Sequence, residues 1–402
     1  MQLLSLFLVA VMPTIKLLLI SATGAFLATK RIDLLGPTAR NHLNNLVFYV
    51  FGPALVGSSL AKTVTIENLA TLWFIGVNML FTIIIGSILG WILVKITRTP
   101  QRLQGPVLGC CAAGNLGNLL LIIIPSLCEE KSSPFGDSTV CSTYGESYAA
   151  FSMAVLAVYV WTYVYFVIRL YSTREAKGTN NVNENELPVL PNKSGESSDI
   201  LPQTNDTEAA LPSTEDEGPQ IASYEKVKER VKSFKLQMVL APATIAAIVG
   251  FVIGLISPFR KAMIGKSAPL RVVFNSTDFM GQPAIPCIIL IVGANLLKGL
   301  KGSGKVGVSV IIGIIAIRFV LLPILGVLIV KAAIHVEIVK SDPLYQFTLM
   351  LSYAVPPAMN IGTITQLLKV GETETSVIML WTYGVSTIFL TLWSACFMWL
   401  VT

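Results

Sequence analysis

The sequence predicts an all-α membrane protein with ten transmembrane helices, arranged as two inverted five-helix repeats with broken crossover helices 4 and 9. Three observations support this prediction: the composition, the distribution of basic residues, and two matched interruptions in apolar segments. Of the 402 residues, 53% are hydrophobic and only 13% are charged. A soluble domain carries about 25% charged residues, so the composition excludes a soluble fold and favours a chain that crosses a bilayer many times.

Ten apolar segments are each long enough to cross a bilayer, which takes about 20 residues in a helix. They lie at residues 4–29, 42–61, 69–95, 104–126, 147–171, 236–258, 273–297, 306–332, 344–367 and 374–401. Between the fifth and the sixth lies a polar segment rich in Asn, Glu, Pro, Ser and Thr, which cannot bury enough apolar surface to fold alone. We therefore predict a first five-helix repeat at 1–171, a disordered linker at 172–235 and a second five-helix repeat at 236–402.

Basic residues are distributed unequally between the two sides of the membrane. The side that carries the linker has 18 Lys and Arg residues in loops and at span ends, whereas the other side has eight. Because the side richer in Lys and Arg faces the cytosol, we expect a cytosolic linker and both termini on the opposite side. Positive charge in such short loops is a topology signal, so no nucleic-acid partner is expected.

The two halves of the chain resemble each other. Residues 56–62 match residues 292–298, and residues 90–95 match residues 326–331, both at a shift of 236. Because each half holds five spans, an odd number, the second half must be inverted relative to the first. Interrupted helices at corresponding positions of inverted repeats indicate a transporter binding site.

Each half contains one apolar segment that is interrupted in its middle. The first interruption is Gly114-Asn115-Leu116-Gly117-Asn118, and the second is Val355-Pro356-Pro357-Ala358-Met359-Asn360. Glycine costs about 1 kcal/mol in a helix relative to alanine, and proline removes a helical hydrogen bond. Irregular backbone at this depth is tolerated only where it is buried in protein or lines a cavity. We therefore expect the two interruptions to meet within one cavity.

The interruptions supply the predicted binding site for an organic anion. A broken helix exposes N–H groups at the start of its second half, where about half a positive charge attracts a carboxylate, and asparagine amides can donate further hydrogen bonds. The candidate substrate-binding residues are Gly114, Asn115, Gly117, Asn118, Val355, Pro356, Pro357 and Asn360. The alternative interpretation is a packing kink in which the asparagines bond their own backbone.

Five ionisable residues in or near the spans are candidates for ion coupling or for a structural role: Lys16, His42, Glu146, Asp278 and Arg318. Lys16 and Arg318 lie mid-span, where charges are usually functional, although snorkelling or a buried pair would explain them equally well. The other three lie near span ends, where a solvated cap is the simpler role. No pattern typical of a metal site, a cofactor site or an enzyme nucleophile is present, so we predict no catalytic residues, no metal and no cofactor.

Two cysteines, Cys128 and Cys141, fall in one polar loop on the predicted non-cytosolic side. Disulfides form in oxidising compartments, so a bond between these two is predicted if the loop faces an oxidising lumen. The other four cysteines lie in spans, where we expect them to act as small apolar residues.

The interruptions and their surroundings are similar to those of the plant PIN-LIKES auxin carriers, within the auxin efflux carrier family. The resemblance covers both halves and rests on Gly52-Pro53-Ala54-Leu55-Val56-Gly57, on the Gly114–Asn118 interruption, on Tyr353-Ala354-Val355-Pro356-Pro357 and on the short linker. It implies ten helices with a crossover of helices 4 and 9, an indole-acetate-type substrate and residence in the endoplasmic reticulum membrane. The related PIN carriers have an Asn-Pro pair in helix 4 where this chain has Asn115-Leu116, so the resemblance implies a proline-centred crossover for helix 9 alone.

The predicted function is a membrane transporter of auxin, meaning indole-3-acetic acid-type organic anions, that works by alternating access and contributes to intracellular auxin homeostasis. Its partners would be the small organic anion and the lipid bilayer, and a homodimer is one assembly that the sequence leaves open. Two other functions also stay open: an ion-coupled carboxylate carrier of bile-acid-transporter type, and a non-transporting membrane sensor. The matched interruptions favour transport, because a sensor does not need them.

Overall fold

The computed structural model describes residues 2–130, 133–172, 242–265, 267–301, 306–339 and 342–402. These residues belong to one compact unit and are helical apart from short connections. The predicted linker at 172–235 lies outside the described residues, except for Ser172, which ends a helix.

Fourteen helices follow one another along the described residues. They are α1 (Gln2–Leu27), α2 (Pro37–Thr63), α3 (Ile66–Ile96), α4 (Gln101–Ala112), α5 (Asn118–Glu129), α6 (Ser138–Ser172), α7 (Pro242–Leu255), α8 (Ser257–Met263), α9 (Arg271–Gly281), α10 (Ala284–Lys301), α11 (Val308–His335), α12 (Pro343–Leu351), α13 (Asn360–Leu368) and α14 (Glu372–Val401). Helices α2, α6 and α11 each contain one π-helical turn, at Val47–Phe51, Val160–Val164 and Ile317–Leu321 respectively.

Seven spans in the described residues are long and apolar enough to cross a membrane, with α9 and α10 counted as one. The number rises to eight if α7 and α8 form one span bent by 100°. The predicted spans 104–126 and 344–367 are not continuous helices, because each is divided into two shorter ones, α4 with α5 and α12 with α13. The all-helical, multi-pass fold is confirmed, whereas a count of ten requires each divided pair to be treated as one span.

Prolines explain two of the π-helical turns. Pro53 and Pro323 lack the N–H that would bond the carbonyl four residues earlier, and each follows its π-helical turn by two residues. The carbonyl of Phe319, which Pro323 leaves free, accepts a hydrogen bond of 2.8 Å from Nε1 of Trp393 on α14. Single π-helical turns are frequent at functional sites, and the one in α11 carries Arg318.

Two helix pairs approach each other closely through glycines. α1 packs on α10, where a side chain at Gly293 would overlap the carbonyl of Ser21, and α7 packs on α2, where a side chain at Gly250 would overlap the carbonyl of Gly57. Small residues allow this close backbone approach between helices in membranes. Each half of the chain therefore packs its first helix against the second predicted span of the other half.

A disulfide joins Cys128 at the end of α5 to Cys141 in the first turn of α6, which confirms the predicted bond. Asp137 caps α6 beside it. Hydrogen bonds from the hydroxyl of Thr139 and from the N–H groups of Val140 and Thr139 hold the pKa of Asp137 below its usual value. The second half of the first divided span is thus fastened to the start of α6.

Candidate functional site

The two interruptions predicted from the sequence meet in the structure. The N–H of Asn115 donates to the carbonyl of Pro356 at 2.8 Å, and the N–H of Ala358 donates to the carbonyl of Ala113 at 2.9 Å. These bonds form an antiparallel bridge between the segment that separates α4 from α5 and the segment that separates α12 from α13. Backbone groups released by one broken helix are therefore satisfied by the other, as buried polar backbone requires. We call this pair of segments the crossing.

A tyrosine on α14 ties the crossing together. The side-chain amide of Asn115 donates to the hydroxyl of Tyr383 at 2.9 Å, and that hydroxyl donates to the carbonyl of Pro357 at 2.8 Å. Asn115 is only 2% exposed, and its amide bonds another helix rather than its own backbone. The sequence does not single out Tyr383, because it is one of several aromatic residues in a long apolar helix.

A buried asparagine on α3 supports the other side of the crossing. The amide of Asn78 donates to the carbonyl of Leu349 at 3.1 Å and to the hydroxyl of Ser352 at 2.9 Å. The hydroxyl of Tyr353 donates to the side-chain oxygen of Asn78 at 3.0 Å. α12 ends at Leu351, and this network satisfies polar groups at that end. Sequence reasoning missed Asn78, although an amide in the middle of an apolar span is a usable signal.

Arg318 on α11 also supports the crossing. Its Nε and Nη2 atoms donate to the carbonyl of Val355 at 3.1 and 2.6 Å, and Nη1 donates to the carbonyl of Cys111 at 3.2 Å. Arg318 is fully buried, and a side chain at Gly114 would overlap its Nη2 atom. Gly114 is therefore needed so that the guanidinium can approach the crossing. Cys111 lies in the last turn of α4, whose end carries about half a negative charge.

A cavity of about 190 Å³ begins at the crossing, with room for on the order of ten water molecules. Its floor is formed by Asn115, Gly117, Ala358 and Asn360, which belong to the crossing and to the helix starts beside it. Its walls come from α2, α6, α7, α10, α13 and α14. The site therefore lies where both halves of the chain meet.

Amides dominate the polar lining of the cavity. Five asparagines line it: Asn41, Asn44, Asn115, Asn295 and Asn360. Apart from Asn115, their side chains form no hydrogen bond within the described part of the chain, so these amides are free to bind a ligand. Arg40 is the one charged residue among the described residues that line the cavity, and no carboxylate or histidine lines it. The lining suits an anion better than a cation.

Two helix starts face the floor of the cavity. Gly117 precedes α5 and Met359 precedes α13, and neither residue caps its helix through a side-chain hydrogen bond. Both residues line the cavity. Each uncapped start carries about half a positive charge, and at α13 the N–H groups of Ile361 and Gly362 bond the carbonyls of Ala358 and Met359 at 3.1 and 3.0 Å. Together they provide a field of about one positive charge for an anion.

The lining of the cavity also contains an apolar surface. The rings of Phe48 on α2 and Trp161 on α6 lie edge to face with their centres 5.3 Å apart. Leu156, Ile288 and Met379 extend the same apolar lining. Aromatic and aliphatic walls with a few polar groups are typical of small-molecule sites, and this apolar surface suits contact with a flat apolar ring.

The eight candidate binding residues divide into two groups. Asn115, Gly117 and Asn360 line the cavity, whereas Gly114, Val355, Pro356 and Pro357 are buried in the crossing behind it. Asn118 begins α5, and its side chain lies outside the described part of the structure. A direct role of these residues in substrate binding stays a prediction.

The five candidate charges lie away from the cavity lining. Nζ of Lys16 lies 3.6 Å from the carboxylate of Glu129 in an exposed pair, and Arg318 is buried behind the crossing. The remaining three are exposed or half-buried: His42, Glu146 and Asp278. Among the described residues, no three His, Cys, Asp or Glu side chains are grouped as a metal site would require.

The apolar helices and the cavity between the two halves are features of a multi-pass membrane transport protein. A family profile described as "Membrane transport protein" matches residues 9–394. The chain is similar to three proteins of Arabidopsis thaliana. PIN-LIKES 3 is 48% identical, with 100% of this chain and 99% of the relative covered. PIN-LIKES 1 is 47% identical with 100% and 81% covered, and PIN-LIKES 4 is 45% identical with 100% of both covered. The chain therefore belongs to the membrane transport protein family and, within it, to the PIN-LIKES proteins.

Proposed function

We propose that this protein carries auxin-type organic anions, represented by indole-3-acetic acid, across the endoplasmic reticulum membrane by alternating access. One observation carries the proposal: a cavity lined by free amides ends on two uncapped helix starts, and no carboxylate is among its described lining residues. The carboxylate would bind at the helix starts, and the indole ring would lie against the apolar surface that includes Phe48 and Trp161. The choice of auxin and of this membrane rests on the family resemblance.

A ten-span, inverted-repeat architecture with a crossover is part of this proposal. Gly90 on α3 approaches Cys111, and Gly326 on α11 approaches Tyr353, so closely that a side chain at either glycine would collide. The two glycines are 236 residues apart, which is the shift that relates the halves, and their partners are 242 apart, which is the separation of Asn118 and Asn360 in the two interruptions. The same contact thus occurs once in each half, close to the point where the first part of each divided span ends. This correspondence supports the inverted repeat.

The exposed end of the cavity, which we call its mouth, supports a state that is open to the cytosol. Asn41 and Gln366 line the cavity and are exposed. Gln366 lies near the end of α13, and Gly371, just beyond it, packs near the start of α4. Gly105 on α4 packs in turn against Ile168, near the end of α6. The mouth therefore shares a face with the point where the predicted cytosolic linker leaves α6.

Alternating access needs a second state that opens the opposite end, which is closed here. Leu60, near the end of α2 that lies farthest from Asn41, is fully buried. In this proposal α1, α2, α7, α9 and α10 form a scaffold, and α3–α6 with α11–α14 form the moving bundle. The Lys16–Glu129 ion pair joins α1 of the scaffold to α5 of the bundle, so it would break on opening.

Flux measurements on purified protein in liposomes test the proposal. We expect saturable uptake of radiolabelled indole-3-acetate that needs no added sodium gradient. Uptake that required sodium would replace the proposal with the ion-coupled carboxylate carrier. Binding without any flux would replace it with the membrane sensor.

Binding titrations of variants test the location of the site. Asn360→Ala should weaken indole-3-acetate binding by about 10- to 100-fold, because a hydrogen bond to a charged acceptor contributes about 1.5–3 kcal/mol. Lys16→Met is the control, since Lys16 lies outside the cavity, and it should bind like the unaltered protein. The opposite ranking of the two variants would move the carboxylate site away from the crossing.

A further inference from the structure

Arg318 is a fully buried cation whose hydrogen bonds all go to main-chain carbonyls. The carbonyls belong to Cys111 and Val355, and no carboxylate within the described part of the chain pairs with the guanidinium. A buried charge without an opposite charge is costly, and carbonyl dipoles balance only part of it. The protein retains an incompletely balanced positive charge beside the crossing.

This charge lies one layer of backbone behind the cavity. A side chain at Gly114 would overlap Nη2 of Arg318, while the next residue, Asn115, lines the cavity floor. Arg318 itself does not line the cavity, so a ligand there does not touch it. We propose that Arg318 is a positioning residue for substrate selection, which acts through the crossing and uses the bound carboxylate as its opposite charge. This inference rests on the proposed function, because it requires an anionic substrate.

In the first half of the chain, the helix that corresponds to α11 is α3, and it supports the crossing without a charged side chain. Thr82 lies 236 residues before Arg318, at the matched position of α3. It is fully buried, and its hydroxyl donates to the carbonyl of Asn78. Asn78 and Tyr353 satisfy the polar groups at the end of α12 with neutral hydrogen bonds. Neutral hydrogen bonds are therefore sufficient to support the crossing from α3. Because a guanidinium is not needed for support, we infer that the charge of Arg318 has a further role.

Coulomb's law gives the size of the effect. The guanidinium and a carboxylate above the crossing are separated by about two residue lengths, or about 7 Å. At an effective dielectric constant of about 20, a unit charge at that distance changes carboxylate affinity by a factor of about 50. Carbonyl dipoles at Cys111 and Val355 offset part of this field, so the expected change is about tenfold or more. A neutral ligand of the same shape should not feel it.

The test compares indole-3-acetate with its neutral isostere indole-3-acetamide on the purified full-length protein. Arg318→Gln keeps hydrogen-bond donors and removes the charge, whereas Arg318→Lys keeps the charge. Thr82→Val is the matched control in the other half. We expect Arg318→Gln to lower acetate affinity by about tenfold or more, with acetamide affinity changed by less than about threefold. Arg318→Lys and Thr82→Val should keep the acetate-to-acetamide ratio of the unaltered protein.

A purely structural arginine predicts a different pattern. Equal losses of both ligands in Arg318→Gln, or no loss of either, would overturn the inference while leaving the proposed function intact. If Arg318→Gln does not fold, Arg318→Lys provides the test, because it keeps the positive charge. A ratio of acetate affinity to acetamide affinity that falls about tenfold in Arg318→Lys would also overturn the inference. Unaltered protein that bound neither ligand would overturn the proposed function itself, and this inference with it.

Discussion

Replacing Tyr383 by phenylalanine tests whether the crossing is held by its tertiary hydrogen bonds. The hydroxyl accepts from the amide of Asn115 at 2.9 Å and donates to the carbonyl of Pro357 at 2.8 Å. It is thus a link from α14 to both interruptions. Tyr383→Phe removes that link and leaves the ring, which is 6% exposed, in place.

The expected cost follows from the groups left behind. The amide of Asn115 and the carbonyl of Pro357 lose a partner in a region where Asn115 is 2% exposed. A buried polar group without a partner costs about 1–3 kcal/mol. Water from the cavity can reach the crossing and replace part of the loss, so we expect a destabilisation of about 2 kcal/mol. If the cavity floor must regain its original geometry when indole-3-acetate binds, binding loses up to the same ~2 kcal/mol. The affinity for indole-3-acetate would then fall by up to about 30-fold.

Thermal unfolding and calorimetric titration of the purified protein measure both effects. The matched control is Tyr163→Phe, which removes a hydrogen bond of 2.8 Å to Ser87 between α6 and α3, away from the cavity lining. Tyr163→Phe should bind indole-3-acetate like the unaltered protein. If Tyr383→Phe also binds normally and unfolds at the unaltered temperature, the hydroxyl does not hold the crossing.

Three further predictions concern the described packing and the disulfide. Replacing both Cys128 and Cys141 by alanine should lower stability by about 3 kcal/mol, measured by denaturant unfolding, because a closed loop of 13 residues is released. Gly293→Val should prevent folding, because a side chain at this position overlaps α1; the measurement is the loss of monodisperse protein. Gly362→Ala is the control and should be tolerated, because a side chain at Gly362 has no atom within 4 Å. Asn78→Leu should destabilise the protein by about 3 kcal/mol, measured by thermal unfolding, because it leaves partners at the end of α12 unpaired.

The sequence predicts the parts of this structure that local chemistry decides. Pro356 and Pro357 cannot continue a helix, so the second interruption follows from two residues. The meeting of the interruptions follows from the rule that exposed backbone must be satisfied inside the protein. The Cys128–Cys141 bond follows from two cysteines in one polar loop. These predictions need no knowledge of how the helices pack.

The rest depends on which helix faces lie together, which a single sequence does not reveal. Asn41, Asn44 and Asn295 line the cavity with free amides, yet along the chain they are ordinary polar residues near span ends. Tyr383 is an aromatic residue in an apolar helix until packing places its hydroxyl between the interruptions. The sequence marks Arg318 as unusual, but only the structure places it behind the cavity rather than inside it.

The two interruptions have different physical causes, and the local sequence specifies the first less firmly than the second. No proline lies between α4 and α5, and two glycines cost a helix only about 2 kcal/mol relative to alanine. That cost is comparable with the few hydrogen bonds, at about 1 kcal/mol net each, that a continuous helix would regain there, so the local sequence does not decide. The decisive bonds come from elsewhere: Ala113 and Asn115 pair with the second interruption, and Cys111 is bound by Arg318. The first interruption is thus a consequence of the second, and the cavity floor depends on both halves being packed.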